Sequence, residues 1–244
     1  MEDSGIGFAP IKIDSGNNIH VISGVSGQLL KVDDQLNRLG EVSQPFPALI
    51  TSSTIVKEKW IGVWVERDLR QARMAAFDLN EAWSDGETKA ELRSKKLDSA
   101  LHPSSSIWSQ ILDSEPTALS NVENSICFST INRGIYRIND ESKEIWRAEI
   151  PEWKQISKIN SLDEIIGFLN TEEGTILFSK AGGFAVIDGS GNIVKQGVLK
   201  LPEVVTGVQY EKAKGWFIQL NGKYFATLSK LTDSQKISKV FVSI

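Results

Sequence analysis

Apolar and β-branched residues fall along this chain in short runs, each cut off by glycine, asparagine or aspartate. The clearest case is Asn124 to Trp153, NSICFSTINRGIYRINDESKEIWRAEIPEW. Its pattern predicts a strand over Ile126 to Thr130, a tight turn closed by Gly134, a strand over Ile135 to Asn139, a polar turn over Asp140 to Lys143, and a third strand over Glu144 to Glu149. A meander of three strands cannot bury both of its faces alone, so copies of it have to stack on one another.

Copies are present. Sliding Ile19 to Val42 forward by 106 positions places Ile22 and Ser23 on Phe128 and Ser129, and Leu30 to Asp34 on Tyr136 to Asp140. A second copy runs from Trp60 to Trp83, with strands over Trp60 to Val65 and Met74 to Leu79 around a charged hairpin loop, Glu66 to Arg73. In a fourth, Phe178 and Ser179 take the places of Phe128 and Ser129. There Gly183, Ile187 and Asp188 take those of Gly134, Ile138 and Asn139 after a one-residue deletion. The fifth covers Trp216 to Leu228 with the tail Lys236 to Ile244, and its Asn221-Gly222 is a two-residue hairpin signal. Further strands are expected over Gly5 to Ile13, where Pro10 marks an edge or a strand start, and over Ala48 to Val56, Ile107 to Leu112, Thr117 to Val122, Ile156 to Ile159 and Ile165 to Leu169.

The strand ends Asp33, Asp78, Asn139, Asp188 and Leu228 are 45, 61, 49 and 40 residues apart, and a propeller blade takes roughly 40 to 50. The expected fold is therefore all-β, a single β-propeller of about five antiparallel blades. A sixth is added if the interval from Ser84 to Thr117 hides a degenerate one, and a β-sandwich or irregular barrel is the alternative. Residues 1–244 form one expected domain with an irregular polar insertion around 84–106. That insertion reads either as a short helix over Thr88 to Leu97 or as an outer strand followed by a loop. Ala90, Leu92 and Leu97 make no helical stripe, so the weight falls on the strand.

An apolar strand ending in serine, then glycine, then a strand ending in Asn-Asp, then a strand carrying tryptophan resembles the repeat of quinoprotein-type (PQQ-type) propellers. Gly134, Asn139 and Trp146 match it in one copy and Gly183, Asp188 and Gly191 in another, over about half of the chain. The resemblance implies the propeller fold. It does not imply the quinone, since such repeats also build scaffolds, and no cofactor is expected. The Trp-Asp strand ends and Gly-His starts of WD repeats are missing, as are the kelch glycine doublets and the sialidase aspartate boxes.

Composition narrows the function. Apolar residues at 41% and charged residues at 24% suit a packed globular chain. A net charge of −4 gathers neither nucleic acid nor an anionic membrane, so neither is an expected partner. The lone cysteine, Cys127, lies in a predicted strand as a small apolar filler, which fits a reducing compartment. No basic-then-apolar leader opens the sequence, and no apolar run approaches the length of a membrane span. The expected location is the cytoplasm.

Candidate chemistry is sparse. His20 and His102 are the only histidines, too few for a multi-histidine metal site, and no metal is expected. His20 reads as a structural strand residue and His102 as an exposed loop residue. Asp33, Asp34, Asp78, Asp140 and Asp188 recur at equivalent strand ends, where aspartate bonds its own turn. Trp60, Trp64, Trp146 and Trp216 fall inside strands as packing residues, whereas Trp83, Trp108 and Trp153 lie nearer strand ends, where an exposed aromatic anchor is the alternative.

The candidate binding loop is Glu66 to Arg73. Its Arg67, Arg70 and Arg73 around the apolar tip Leu69 suit an acidic partner surface, against the plainer reading of a solvated hairpin with internal ion pairs. Arg93, Lys95 and Lys96 form a second basic cluster. The expected function is a non-catalytic protein-interaction scaffold that binds another protein through rim loops, as a free module or as a subunit of a larger complex. The alternative is a propeller hydrolase or lectin that binds a small ligand or sugar at a central channel. An enzymatic role is left open, with the weight against it.

Overall fold

A computed structural model describes residues 5–67, 71–94, 102–131, 133–156, 164–233, 235 and 241–242, without the side chains of Gln71, Lys223, Phe241 and Val242. The described strands build five antiparallel sheets of consecutive neighbours, with only one α-helix and one 3₁₀ turn. This is an all-β, five-blade β-propeller. The sheets divide between two compact units.

The first unit holds Met1–Pro116 together with Asp140–Ser142. Its first blade is β1 (Pro10–Ser15), β2 (His20–Gly24) and β3 (Leu29–Val32). The second is β4 (Leu49–Val56), β5 (Lys59–Glu66), β6 (Gln71–Asp78) and β7 (Trp108–Leu112). A core of Val21, Leu29, Phe46, Ile50, Trp60, Trp64, Phe77 and Leu92 joins them. A smaller cluster of Ile22, Leu30 and Val32 fills the other face of the first blade. Asp14, Val21 and Lys31 make the register legible: each pairs across β1, β2 and β3 in order.

The second unit holds Thr117–Asn139 and Lys143–Ile244. Blade 3 is β8 (Pro116–Val122), β9 (Ser125–Thr130), β10 (Gly134–Ile138) and β11 (Glu144–Ala148). Blade 4 is β12 (Ile165–Thr171), β13 (Gly174–Ser179), β14 (Gly183–Ile187) and β15 (Ile193–Val198). Blade 5 is β16 (Val205–Glu211), β17 (Gly215–Leu220), β18 (Tyr224–Leu228) and β19 (Phe241–Val242). One core cluster gathers Cys127, Ile135, Trp146, Trp153, Phe168 and Leu177. Another gathers Ile176, Phe178, Phe184, Trp216 and Ile218. Successive strand residues point to opposite faces, so Leu177 and Phe178 feed different clusters from the same strand.

Gly134 has a backbone reason for its place in the repeat. A Cβ there would lie 2.7 Å from the Ala148 carbonyl oxygen on the neighbouring β11, so only glycine lets the two strands approach.

The structure departs from the sequence reading in several places. The insertion carries a helix, α1 (Lys89–Ser94), and not an outer strand. Its capping is reciprocal: Thr88 N donates to Glu91 Oε2 at 2.7 Å, and Glu91 N donates to Thr88 Oγ1 at 3.3 Å. Leu92 alone anchors it in the core, which is why no apolar stripe announced it. β16 has no counterpart in the sequence reading, because VTGVQYE mixes one fully buried position with polar ones. The Asn221-Gly222 hairpin is one residue longer than expected, a 3₁₀ turn over Asn221–Lys223 with Gly222 at φ 74°. The expected strand at Ile156 begins in a turn and continues outside the described residues.

Candidate functional site

The arginine loop is shorter than its charge pattern suggested. β5 and β6 pair out to Glu66 opposite Gln71, so ladder bonds claim residues assigned to the loop and only 67–70 connect the strands. Arg67 is exposed, and its Nη2 donates to Glu115 Oε1 at 3.4 Å, a long contact on the neighbouring connection. Leu69 and Arg70 lie outside the described residues. Arg73 does not belong to the loop surface at all. It stands in β6 opposite Trp64, only 3% exposed, with its guanidinium carbon 5.7 Å from the Phe46 ring centroid. Its Nε and Nη1 are buried without a hydrogen-bond partner, and burial lowers its pKa. The physical reason is that Arg73 lies inside a strand covered on both faces: β6 pairs with β5 and β7, and every residue from Ala72 to Phe77 is buried, so a side chain there is enclosed whichever way it points.

The second basic cluster is divided in the same way. Arg93 lies exposed in the last turn of α1, while Lys95 and Lys96 lie outside the described residues. The only element that the described structure gives this cluster is therefore one short capped helix.

The carboxylates behave as turn residues. Asp33 Oδ1 accepts from Gln35 N at 2.9 Å and Asn37 N at 2.8 Å, and Asn37 Nδ2 donates to Oδ2 at 2.9 Å. Asp188 repeats this with Ser190 N, Asn192 N and Asn192 Nδ2 at 2.9, 2.9 and 3.1 Å. Those bonds favour the charged form and lower both pKa values. Asp78 accepts from Asn80 N, and Asn139 accepts from Lys143 N. Asp34 meets the His20 Nε2 at 3.0 Å, which leaves His20 the structural role expected of it. His102 Nδ1 bonds the Ser109 hydroxyl.

Asp140, like Asp34, bonds outside its own turn. Within the first unit it gathers two ammonium groups, Lys57 at 2.8 Å and Lys59 at 2.9 Å. The hydrogen bond from Lys57, then that from Lys59, hold its carboxyl down at about 2 against an ordinary 3.8. A carboxyl whose folded pKa is depressed stabilises the fold above its unfolded pKa and loses that contribution as pH falls through the folded one. Urea midpoints of wild type and Asp140→Asn should therefore differ at neutral pH and converge between 3.8 and about 2. A gap that stays constant through that window would remove the ion pair from the stability of the unit.

Cys127 is fully buried, and desolvation pushes its thiol up to about 12. That is the reverse of an activated nucleophile. Among the described residues no group of three His, Cys, Asp or Glu side chains could hold a metal ion. No helix among them is long and apolar enough to cross a membrane.

The tryptophans at strand ends are packing residues as well. Trp153 is buried and donates Nε1–H to the Phe184 carbonyl at 3.1 Å. Trp83 donates to the Asp78 carbonyl at 2.7 Å and lies under the Lys31 ammonium, 5.0 Å from its ring centroid. Trp108 donates to the Asp140 carbonyl at 3.0 Å. None of the three is an exposed anchor. Lys31 itself escaped the sequence reading. Although buried in β3, it donates to the Leu79 and Glu81 carbonyls at 2.8 and 2.6 Å, which satisfies its charge where the insertion begins. Its one sequence signal is a lysine interrupting the apolar run Leu29-Leu30-Lys31-Val32.

No protein-family model and no curated protein matches this chain. Solved structures do. A chain of BBS1N in complex with ARL6DN superposes with a TM-score of 0.55 at 10% identity, over 86% of this chain and 60% of that one. The Cps50 (Swd1) β-propeller domain of Myceliophteria thermophila gives 0.57 at 9% identity, over 96% and 74%. A chain of the Mitotic Checkpoint Complex gives 0.64 at 9% identity, over 96% and 64%. This chain thus spans 60% of the BBS1N-complex chain and 64% of the checkpoint-complex chain. Identities this low speak for the propeller fold alone. They give no support to a quinoprotein-type repeat, which rests on the sequence pattern of Gly134, Asn139 and Trp146.

Proposed function

We propose that this chain is a non-catalytic protein-interaction module, one β-propeller domain with quinoprotein-like repeats and no quinone, that works in the cytoplasm and binds another protein through its rim loops. The observation that carries the reading is the employment of its reactive side chains. Asp33, Asp78 and Asp188 are occupied by their own turns, Asp140 by two lysines, and Cys127 is buried as a neutral thiol. Support also comes from the company of the solved propellers it resembles, one of which was crystallised in complex with ARL6DN and another in the Mitotic Checkpoint Complex.

The loop after β5 is the proposed contact, with Arg67, Leu69 and Arg70 as its binding residues and Arg93, Lys95 and Lys96 as a second patch. Arg73 is not among them, because its side chain is enclosed. A rim arginine acts mainly through association rate and salt dependence. Arg67→Glu with Arg70→Glu should reduce recovery of a specific partner from native cells about tenfold, and raising the salt should reduce wild-type recovery in the same direction. Equal recovery by wild type and variant would remove the loop. Recovery of no partner by either would remove the module.

A further inference from the structure

Three cations are buried among the described residues, and two of them have acceptors. Lys31 donates to the Leu79 and Glu81 carbonyls. Arg137 donates from Nε to the Ser125 hydroxyl at 2.6 Å and from Nη2 to Glu123 Oε2 at 3.0 Å. Arg73 is different. It is the most enclosed of the three, and its Nε and Nη1 find no acceptor among the described residues.

A third donor without an acceptor stands beside these two. Trp64 is fully buried, is the direct partner of Arg73 across the β5–β6 ladder, and leaves its indole Nε1–H unpaired. Residues opposed across an antiparallel ladder carry their side chains on one face, with Cβ atoms about 5 Å apart. The three N–H groups therefore belong to one row, Ile50, Trp64, Arg73 and Ile111, running across β4 to β7. Phe46 lies against it, its ring centroid 5.7 Å from the guanidinium carbon and 6.3 Å from that of Trp64. All five residues are in the first unit.

Each buried N–H without an acceptor costs the desolvation of that group, and a charged one costs more. Three at adjacent positions suit an acceptor that carries a full negative charge. The described residues supply none, since burial alone acts on the Arg73 guanidinium and no carboxylate pulls against it.

We propose that Arg73 and Trp64 hold a small monovalent anion of the chloride class inside the first unit. The charge follows from the one guanidinium, which balances one negative charge. The size follows from the enclosure: with Arg73 only 3% exposed, the site admits a bare ion and no peptide or nucleotide. The apolar walls of Phe46 and Ile50 offer nothing to the outer oxygens of phosphate or sulfate.

The test is thermal unfolding of the full chain at constant ionic strength, with sodium gluconate replaced stepwise by sodium chloride. Wild type should gain about 3–6 °C for each tenfold rise of chloride above its dissociation constant. Arg73→Met should be the more stable protein in gluconate, where it removes an unmet charge, and should not respond to chloride, so the gap narrows as chloride rises. Trp64→Phe keeps a ring but loses one donor, and should need about tenfold more chloride for the same gain. Lys214→Gln removes an exposed cation of the second unit and should respond as wild type does. Crystals soaked in bromide at the half-saturating concentration should show an anomalous peak between Arg73 and Trp64.

A wild-type melting temperature that ignores chloride would overturn the proposal, as would a response to sulfate in its place. An equal response in Arg73→Met would place the ion elsewhere, and an unchanged chloride requirement in Trp64→Phe would remove the indole from the site; either result overturns the pair as a binding site. If the variants do not fold, the wild-type bromide peak decides: a peak beside Arg73 upholds the site, and its absence removes it.

Discussion

Trp60→Ala should destabilise the protein by about 3–5 kcal/mol, the range for emptying a large buried aromatic site. Trp60 is 0% exposed. Its ring centroid lies 5.7 Å from Trp64, 5.8 Å from Phe77 and 5.8 Å from Trp83, so one deletion strips contacts from three other rings. Its Nε1–H also donates to Asp14 Oδ2 at 2.8 Å. Removing it leaves a buried carboxylate with Lys12, 2.7 Å away, as its ion-pair partner. Trp60→Phe keeps a ring but loses the donor, and should fall between the two. The check is a urea titration with the slope compared between variants, because a changed slope would mean that the units no longer unfold together. A loss below about 1 kcal/mol for Trp60→Ala would mean that the site collapses around the deletion and that the cluster is not the keystone of the first unit.

Arg73→Met should act in the opposite direction. A buried cation with a complete set of partners roughly breaks even, but one without them retains its desolvation cost. Arg73 has two buried nitrogens with no acceptor, and its contact with the Phe46 ring returns only part of that cost. Methionine has similar length and no charge, so the variant should gain about 1–4 kcal/mol. Calorimetry should show this as a rise of about 2–4 °C for each kcal/mol. Recovery of a protein partner should be unchanged. A lower melting temperature together with lost partner binding would instead make Arg73 a binding residue and restore it to the set in which the sequence alone had placed it.

The two residues show why the scaffold was easier to read than its surfaces. Trp60 lies in a β-branched, aromatic run whose burial follows from its composition. Arg73 lies in an arginine-rich segment that looks solvated, but the ladder runs out to Glu66 with Gln71 and draws it into a strand buried on both faces. The turn aspartates were legible because the device is local: Asp33 and Asp188 each bond amides two and four residues ahead. The helix α1 was the less favoured of two readings because its evidence lay in a single capping pair, Thr88 and Glu91, and not in an apolar stripe. Asp140 looked like its counterpart Asp34, and only the fold brings Lys57 and Lys59 to it across more than 80 positions of chain.

The sequence by itself determined the all-β class, a count of about five blades and most of the strands that build them. These depend on short-range terms: alternation along a strand, turn chemistry within a few residues, and a repeat that must stack to bury its faces. Tertiary structure decided which of those residues remain available. A strand covered on both faces buried Arg73, packing enclosed Trp153 and half-buried Trp83 and Trp108, and the alternating burial of β17 left Phe217 exposed. Exposure depends on what lies across the sheet or against its face, which no local pattern of residues specifies.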